Sequence, residues 1–430
     1  MFDPIEYINM PRWQTVSLGL DRTRELLRRL GNPQDRLRFV HVAGTNGKGS
    51  TSAFVASILE QAGYRCGLFT SPALYRFEDR VRVNGTLIAS EELLEVTEAV
   101  KEAADAMDEH PTEFELLTAV AFSHFARERC DVVVAEVGLG GRLDSTNVIT
   151  SPEVSLITPI SFDHCALLGD TLAQIAREKA GIIKEGAPIV CAPQEAEAYR
   201  VIEETACRKH APLVRVDLAC LHGDEESFCY RSRSDLSIGL KGSFQLTNAA
   251  TALDAIDRMK LADWDIPEEA IRRGLECVVW PGRFEVVSEE PLIIFDGGHN
   301  VAGMEALIRA LDKAYPDRYR LALTGVLKDK DYEGMAEVLA LSMDEVFAVE
   351  PSSPRALSAE AYARAIANSD DSQHLRSLIV APDIASGVRS VFRRVADLDA
   401  KGEHPLVCVC GSLYLQKSVM EVLRQVGVAL

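Results

Sequence analysis

A chain of 430 residues exceeds the size at which one hydrophobic core keeps growing, so about two domains with a cleft are expected. Hydrophobic residues make up 47% and charged residues 26%, which excludes a disordered chain and leaves room for a large core. The net charge of -19 excludes a broad basic surface, so neither nucleic acid nor an anionic membrane is an expected partner. The ten cysteines are scattered without a CxxC pair, and Cys408 and Cys410 in PLVCVCG read as buried strand residues. The start MFDPIEYINM is neither basic nor apolar, and no run of about 18 apolar residues occurs. A cytoplasmic, reduced location follows as the expectation.

In chain order, RFVHVAG, RCGLFTS, DVVVAEVG, VSLITPI and PIVCAP read as strands alternating with amphipathic helices, the habit of an α/β fold with a mostly parallel sheet. Phe54, Val55, Ile58, Leu59 and Ala62 fall at helical spacing over Ser52 to Ala62, with Gly63 as the stop. A further helix is expected after Ser90, whose hydroxyl can cap it. SFCYRSR and LSIGLKG suggest a local antiparallel excursion, and a helix containing Asn248 follows. Pro281 and Gly282 break the pattern before LIIFDGG, LALTGV, EVFAVE, LIVA and PLVCVCG, so the domains are placed at 1–281 and 282–430.

FVHVAGTNGKGSTSAFVASIL runs from strand through glycines into a helix, the setting of a phosphate-binding loop. Gly44, Gly47 and Gly49 let backbone amides approach phosphate, Lys48 adds charge, and Ser50 or Thr51 can face magnesium. The spacing departs from GxxxxGK[ST], because Val42 stands at the first glycine and Gly49 follows the lysine. Glu136 ends an otherwise apolar strand ahead of three glycines, and either magnesium or Arg142 can be its partner. His164 lies past the end of VSLITPI, where doubly wound sheets place ligands.

Lys179 occupies the apolar stripe of DTLAQIAREKAGIIK with Leu172, Ile175 and Ala176, in a helix that Asp170 can cap and Gly181 can end. An interior amine favours its neutral form and can capture carbon dioxide as a carbamate; a head that snorkels to solvent is the alternative.

HVAGTNGKGST, FEDRVRVNG, TEFELLTAVAF, EVGLGGRLDSTNVI, DHCALLGDTLAQIAREKAGIIK, PGRFEV, DGGHN, LKDKD and GSLYL together resemble the folylpolyglutamate synthase and dihydrofolate synthase family of the Mur ligase superfamily. The resemblance implies a P-loop-containing amino-terminal domain and a smaller Rossmann-like carboxy-terminal domain closing over ATP and glutamate. It implies that ATP phosphorylates a carboxylate and that an amine then displaces phosphate to form an amide. By the resemblance, Thr45, Asn46, Gly47, Lys48, Gly49 and Ser50 with Asn248, Arg283, Asp296 and His299 hold ATP. Ser71, Glu136, His164 and a carbamylated Lys179 hold two magnesium ions, with Lys48, His164 and Lys179 as the catalytic set. Ser17, Leu18, Thr112, Phe114, Leu143, Asp144 and Ser145 line the pterin pocket. Lys328, Asp329 and Lys330, together with Ser412, sit at strand ends in the second domain as candidates to receive glutamate, with a charged, solvated loop as the alternative.

DGGHN departs from the family with Gly298 where many members have alanine and Val301 where proline is common, without loss of a functional group. RLDST resembles members that make dihydrofolate from dihydropteroate as well as extend the glutamate tail of reduced folates. Tail extension alone and a Mur-type ligase for another acid are the neighbouring readings. A nucleotide-dependent switch or binding module is the reading from another class; no NKxD tetrapeptide is present to read guanine. The expected partners are ATP, L-glutamate and dihydropteroate or a reduced folate, acting on a monomer.

Overall fold

The computed structural model describes residues 2–10 and 19–425, and divides into two units. The first comprises 1–161, 165–239 and 246–279; the second comprises 162–164, 240–245 and 280–430. The expected pterin residues Ser17 and Leu18 lie outside the described residues.

The first unit is built on eight strands: β1 (Phe39–Ala43), β2 (Cys66–Phe69), β3 (Val81–Val83), β4 (Thr86–Leu87), β5 (Val132–Glu136), β6 (Val154–Ile157), β7 (Ile189–Cys191) and β8 (Leu213–Arg215). Their spatial order is β4-β3-β2-β5-β1-β6-β7-β8, parallel from β2 to β8 with β3 and β4 antiparallel at one edge. Every residue of β1, β5 and β6 is buried, which is why these strands read as unbroken apolar runs. The chain leaves β1 between β5 and β6, so three strand ends meet where a doubly wound sheet reverses direction and opens a crevice.

The Lys48–Gln61 helix starts four residues earlier than the apolar spacing alone predicts, directly on the left-handed Gly47. Ser90 is the first helical residue of Ser90–Asp105 rather than its cap; the Glu92 carboxylate instead accepts from the Ala89 amide at 3.3 Å. The antiparallel excursion is three short strands, β9 (Leu221–Gly223), β10 (Phe228–Tyr230) and β11 (Arg233–Leu236). SFCYRSR is therefore split by a turn in which Arg231 takes φ 53°, and LSIGLKG is strand only at its first residue.

The second unit carries β12 (Glu285–Glu289), β13 (Leu292–Phe295), β14 (Tyr319–Thr324), β15 (Glu345–Ala348), β16 (Ser377–Val380) and β17 (Pro405–Cys410), in the order β12-β13-β17-β14-β15-β16. Only β12 runs antiparallel. Helices Val301–Ala314 and Tyr332–Ser342 bury Met304, Leu307, Leu311, Met335 and Leu339 against this sheet. Cys408 and Cys410 are fully buried within β17, and the ten cysteines are unpaired.

The phosphate-loop helix is itself enclosed. Gly274, in the helix Glu268–Cys277, lets that helix lie directly on it: a Cβ at 274 would sit 2.4 Å from Ile58 Cα and 2.6 Å from Ile58 N. Ser57 Oγ donates to Gly274 O at 2.7 Å across the same contact. Gly274→Ala is expected to lower stability in urea unfolding by about 1–3 kcal/mol, overriding a helix-propensity gain of up to about 1 kcal/mol. Unchanged or increased stability would show that the two helices separate without cost.

Candidate active site

Between β1 and its helix, the backbone from Gly44 to Ser50 is held in one conformation by neighbours that exclude side chains. Gly44 has φ 150°, and a Cβ there would lie 1.8 Å from Thr158 Oγ1; Gly47 has φ 84°, with Asn248 Oδ1 2.4 Å from its missing Cβ. The end of β6 braces the loop: Thr45 N and Asn46 N donate to Pro159 O at 3.0 and 3.2 Å. Thr45 Oγ1 donates to Ser161 O, and Asn46 Nδ2 to Ser161 Oγ, both at 3.2 Å. Asn46, Gly47, Lys48 and Gly49 remain half-buried while Ser50 and Thr51 are buried. The accessible stretch is therefore the start of the helix with its positive dipole end, a setting that favours an anion.

Glu136, at the end of β5, is in register with Val42 of β1 and lies beside this loop, 4% exposed. Its Oε1 is 3.8 Å from Lys48 Nζ, and its Oε2 accepts from Ser71 N at 3.4 Å. Arg142 is not its partner: that guanidinium pairs with Glu178 at 3.0 Å. Unit charges about 4 Å apart attract by on the order of 4 kcal/mol at an effective dielectric near 20. Desolvation costs several kcal/mol per buried ion, which nearby cations offset. Among the described residues no three His, Cys, Asp or Glu side chains form a ready metal cage. The Glu136 carboxylate and Ser71 hydroxyl are instead the hard oxygen donors that suit a magnesium ion completed by waters and phosphate oxygens.

Lys179 is 4% exposed, buried with Ile175 and Ala176 at the end of the Leu172–Lys179 helix. Its Nζ donates to Gly44 O at 2.7 Å, so the head points at the base of the phosphate loop and not to solvent. Thr171 caps the helix, not Asp170: Thr171 Oγ1 accepts from Gln174 N while Gln174 Oε1 accepts from Asp170 N and Thr171 N. A 3₁₀ turn, Ala180–Ile182, carries Gly181 past the helix end.

Of the expected pterin residues, Thr112 caps the Glu113–Arg127 helix, and Phe114 stacks on Phe69 at 5.9 Å. Gly138 makes room for that ring, since a Cβ there would be 2.4 Å from Phe114 Cζ. The Leu143–Ser145 stretch follows in the same loop, with Leu143 half-buried and Ser145 buried. The Asp144 carboxylate is turned into its own loop, accepting from Leu139 N at 2.9 Å, Thr146 N at 3.0 Å and Thr146 Oγ1 at 2.5 Å. Burial raises its pKa against those bonds.

The second unit gathers its own polar cluster. Lys330 Nζ is 2.6 Å from Asp163 Oδ1 and 3.3 Å from His164 Nε2, Asn300 Nδ2 donates to Asp163 Oδ2 at 3.4 Å, and His299 Nε2 is 3.4 Å from that oxygen. Burial works against ionisation of Asp163, but the His299 hydrogen bond and the charges of Lys330 and His164 outweigh it and hold the carboxyl well below its usual range. Asp296 ends β13 with both oxygens engaged, by Gly298 N at 2.7 Å and Phe284 N at 2.9 Å, and burial raises its pKa. Arg283 lies over Gly297, where a Cβ would be 1.9 Å from its Nη1. Ser412 is buried past β17, whereas Lys328 is exposed; the buried cation of LKDKD is Lys330.

Asp163, Thr158, Ser161 and His41 hold this geometry without having been expected in it, and Lys330, expected among the residues that receive glutamate, is paired with Asp163. Asp163 stands beside His164 at a strand end, and Ser161 opens the same SFDH run, which is the available signal; the 167-residue separation of Lys330 from Asp163 leaves none.

The chain matches the Mur ligase middle domain over residues 42–256 and the Mur ligase glutamate ligase domain over residues 282–413. The dihydrofolate synthase/folylpolyglutamate synthase of Bacillus subtilis is 38% identical over 427 residues, 95% of this chain and 96% of the relative. The solved structure of Escherichia coli FolC in complex with DHPP and ADP has a TM-score of 0.85 at 32% identity, covering 98% of this chain and 97% of that one. The bifunctional folylpolyglutamate synthase/dihydrofolate synthase from Yersinia pestis, complexed with AMPPNP and Mn ion, has a TM-score of 0.82 at 32% identity with the same coverage. With the phosphate loop, Glu136 and the buried Lys179 in place, the chain belongs to the folylpolyglutamate synthase/dihydrofolate synthase family of Mur ligases.

Proposed function

We propose that this protein uses ATP to join L-glutamate to dihydropteroate, giving dihydrofolate, and to the glutamate tail of reduced folates. The observation that carries the reading is the buried Lys179 amine, which donates to Gly44 O at 2.7 Å at the root of the phosphate loop. A surface lysine would have neither that burial nor that partner.

The loop amides and Lys48 bind the ATP phosphates, Asn248 keeps Gly47 in its left-handed conformation, and Arg283, Asp296 and His299 belong to the nucleotide site of the second unit. Magnesium held at Ser71 and Glu136 would supply charge neutralisation for a dianion-rich transfer. The amine of Lys179 can add carbon dioxide and release a proton to become a carbamate. A carbamate keeps one N–H, enough for the bond to Gly44 O, and presents two oxygens as ligands for a second ion. The substrate carboxylate oxygen attacks the terminal phosphorus and ADP leaves; the glutamate amine then attacks the acyl carbon, and phosphate leaves as the amide forms. Lys48 stabilises negative charge in the first step. Holding the reactants together replaces a bimolecular encounter, an effect worth up to about 7–11 kcal/mol. Thr112, Phe114 and Leu143–Ser145 receive the pterin. Lys330 is committed to Asp163, which leaves the exposed Lys328 and Ser412 for the glutamate carboxylates. The working unit is a monomer.

With ATP, magnesium and glutamate supplied, both dihydropteroate and tetrahydrofolate are expected to yield a product one glutamate longer, read by mass. Product from tetrahydrofolate alone would reduce the function to tail extension, and steady ATP hydrolysis indifferent to glutamate and pterin would favour a nucleotide switch. Lys179→Ala is expected to retain ADP binding within a few-fold while product formation falls by at least 100-fold, measured by calorimetry and by turnover. Wild-type turnover in that variant would remove the lysine from the reaction.

A further inference from the structure

His41 is an ionisable side chain on β1, fully buried three residues before the phosphate loop. Its Nε2 lies 2.8 Å from Thr146 Oγ1, and that hydroxyl lies 2.5 Å from Asp144 Oδ1. A hydroxyl has one proton, and Thr146 Oγ1 donates it to Asp144 Oδ1. Thr146 must then accept from His41, which fixes the imidazole as the tautomer with its proton on Nε2. The rest of the ring agrees. Nδ1 is buried with no hydrogen-bond partner among the described residues, as a bare lone pair would be. Burial, helped by the nearby Lys184 charge, pushes the imidazole pKa down to about 3, so the ring is neutral near neutral pH and carries one proton.

The relay ends on a loop that is keyed to the lysine helix as well. Arg142 N donates to Glu178 O at 2.7 Å, and Asn147 Nδ2 donates to Arg142 O at 2.9 Å and Gly181 O at 3.2 Å. A Cβ at Gly141 would lie 2.9 Å from Glu178 O, and one at Gly181 would lie 2.4 Å from Arg142 Cα. Backbone therefore lies on backbone, and a displacement of residues 142–146 displaces the Lys179 helix end with it.

We propose that His41 and Thr146 are positioning residues for dihydropteroate: the directed relay from His41 through Thr146 to Asp144 sets the Leu143–Ser145 loop in the conformation that receives the pterin. The inference rests on the reading that Leu143–Ser145 touch the pterin. Asp144 in this arrangement acts chiefly on its own loop, because three donors already occupy its oxygens. The phosphate loop follows the strand that carries His41, and its Thr45 and Asn46 amides are held by Pro159 O rather than by the relay, so loss of the relay is read first in the dihydropteroate KM.

Steady-state kinetics of Thr146→Val, Thr146→Ser, His41→Leu and His41→Gln on the full chain test this, with Leu143→Ala as the probe of the underlying reading. Thr146→Val and His41→Leu are expected to raise the dihydropteroate KM at least tenfold with the ATP KM within twofold. Thr146→Ser keeps the hydroxyl, and His41→Gln keeps a nitrogen donor near the Nε2 position; both should stay within threefold of the parent. Should His41→Leu fail to fold, the near-isosteric Thr146→Val decides. A dihydropteroate KM within twofold of the parent for Thr146→Val overturns the relay. Equal losses in the Ser and Val variants, or a parallel rise in the ATP KM, assign the residues to packing alone and overturn it equally. If Leu143→Ala raises the dihydropteroate KM while Thr146→Val does not, only the relay fails; if neither does, the pterin assignment of the loop fails with it.

Discussion

The hydrogen bond from Lys179 Nζ to Gly44 O ties together two parts of the chain that have no sequence reason to meet. One is a glycine loop that can bind phosphate by itself; the other is a helix whose last residue is a lysine on its apolar face. Burying an amine is costly unless a partner receives it. A partner here is a main-chain carbonyl of the phosphate loop, so a shift of the helix breaks a buried hydrogen bond to that loop. The phosphate loop, the carboxylate of Glu136 and the pterin loop each depend on that fixed helix or on the strand ends beside it.

The sheet makes the meeting possible. With β1 between β5 and β6, the phosphate loop, Glu136 and the Thr158–Ser161 brace all emerge from adjacent strand ends. Glycines then remove the Cβ atoms that would keep these pieces apart: Gly44 against Thr158, Gly47 against Asn248, Gly138 against Phe114, and Gly141 against the lysine helix. The second unit has a buried cluster of its own, centred on the 162–164 segment. Asp163 there collects Lys330, His299 and Asn300, a buried set in which loss of one partner strands the opposite charge, a loss typically costing about 3–5 kcal/mol.

Much of this was legible in the chain. The central strands are buried on both faces and so appear as continuous apolar runs, and Lys179 betrayed its burial because helical spacing alone places it with Ile175 and Ala176. Helix caps were harder: Ser90 and Asp170 each stand one residue from the true boundary, where a Glu or Gln three positions in settles the choice through its own backbone bond. Of the two partners open to Glu136 in the sequence, Arg142 is near in the chain, but the fold turns it towards Glu178. Asp144 and Asp296 carry acids in suggestive positions, yet both spend their oxygens on local amides, a fact that depends on turn geometry and not on residue type. The Asp163–Lys330 pair joins residues too far apart for any local pattern to reveal.

In the proposed reaction, the site around Gly44, Glu136 and Lys179 activates a carboxylate by phosphorylation before an amide forms. Dihydropteroate labelled with ¹⁸O in its carboxylate, turned over with ATP, magnesium and glutamate, tests it directly. Each dihydrofolate formed should release one phosphate carrying a single oxygen from the substrate carboxylate. Dihydrofolate formed alongside unlabelled phosphate would contradict the account, because the carboxylate oxygen would then never have been bonded to phosphorus.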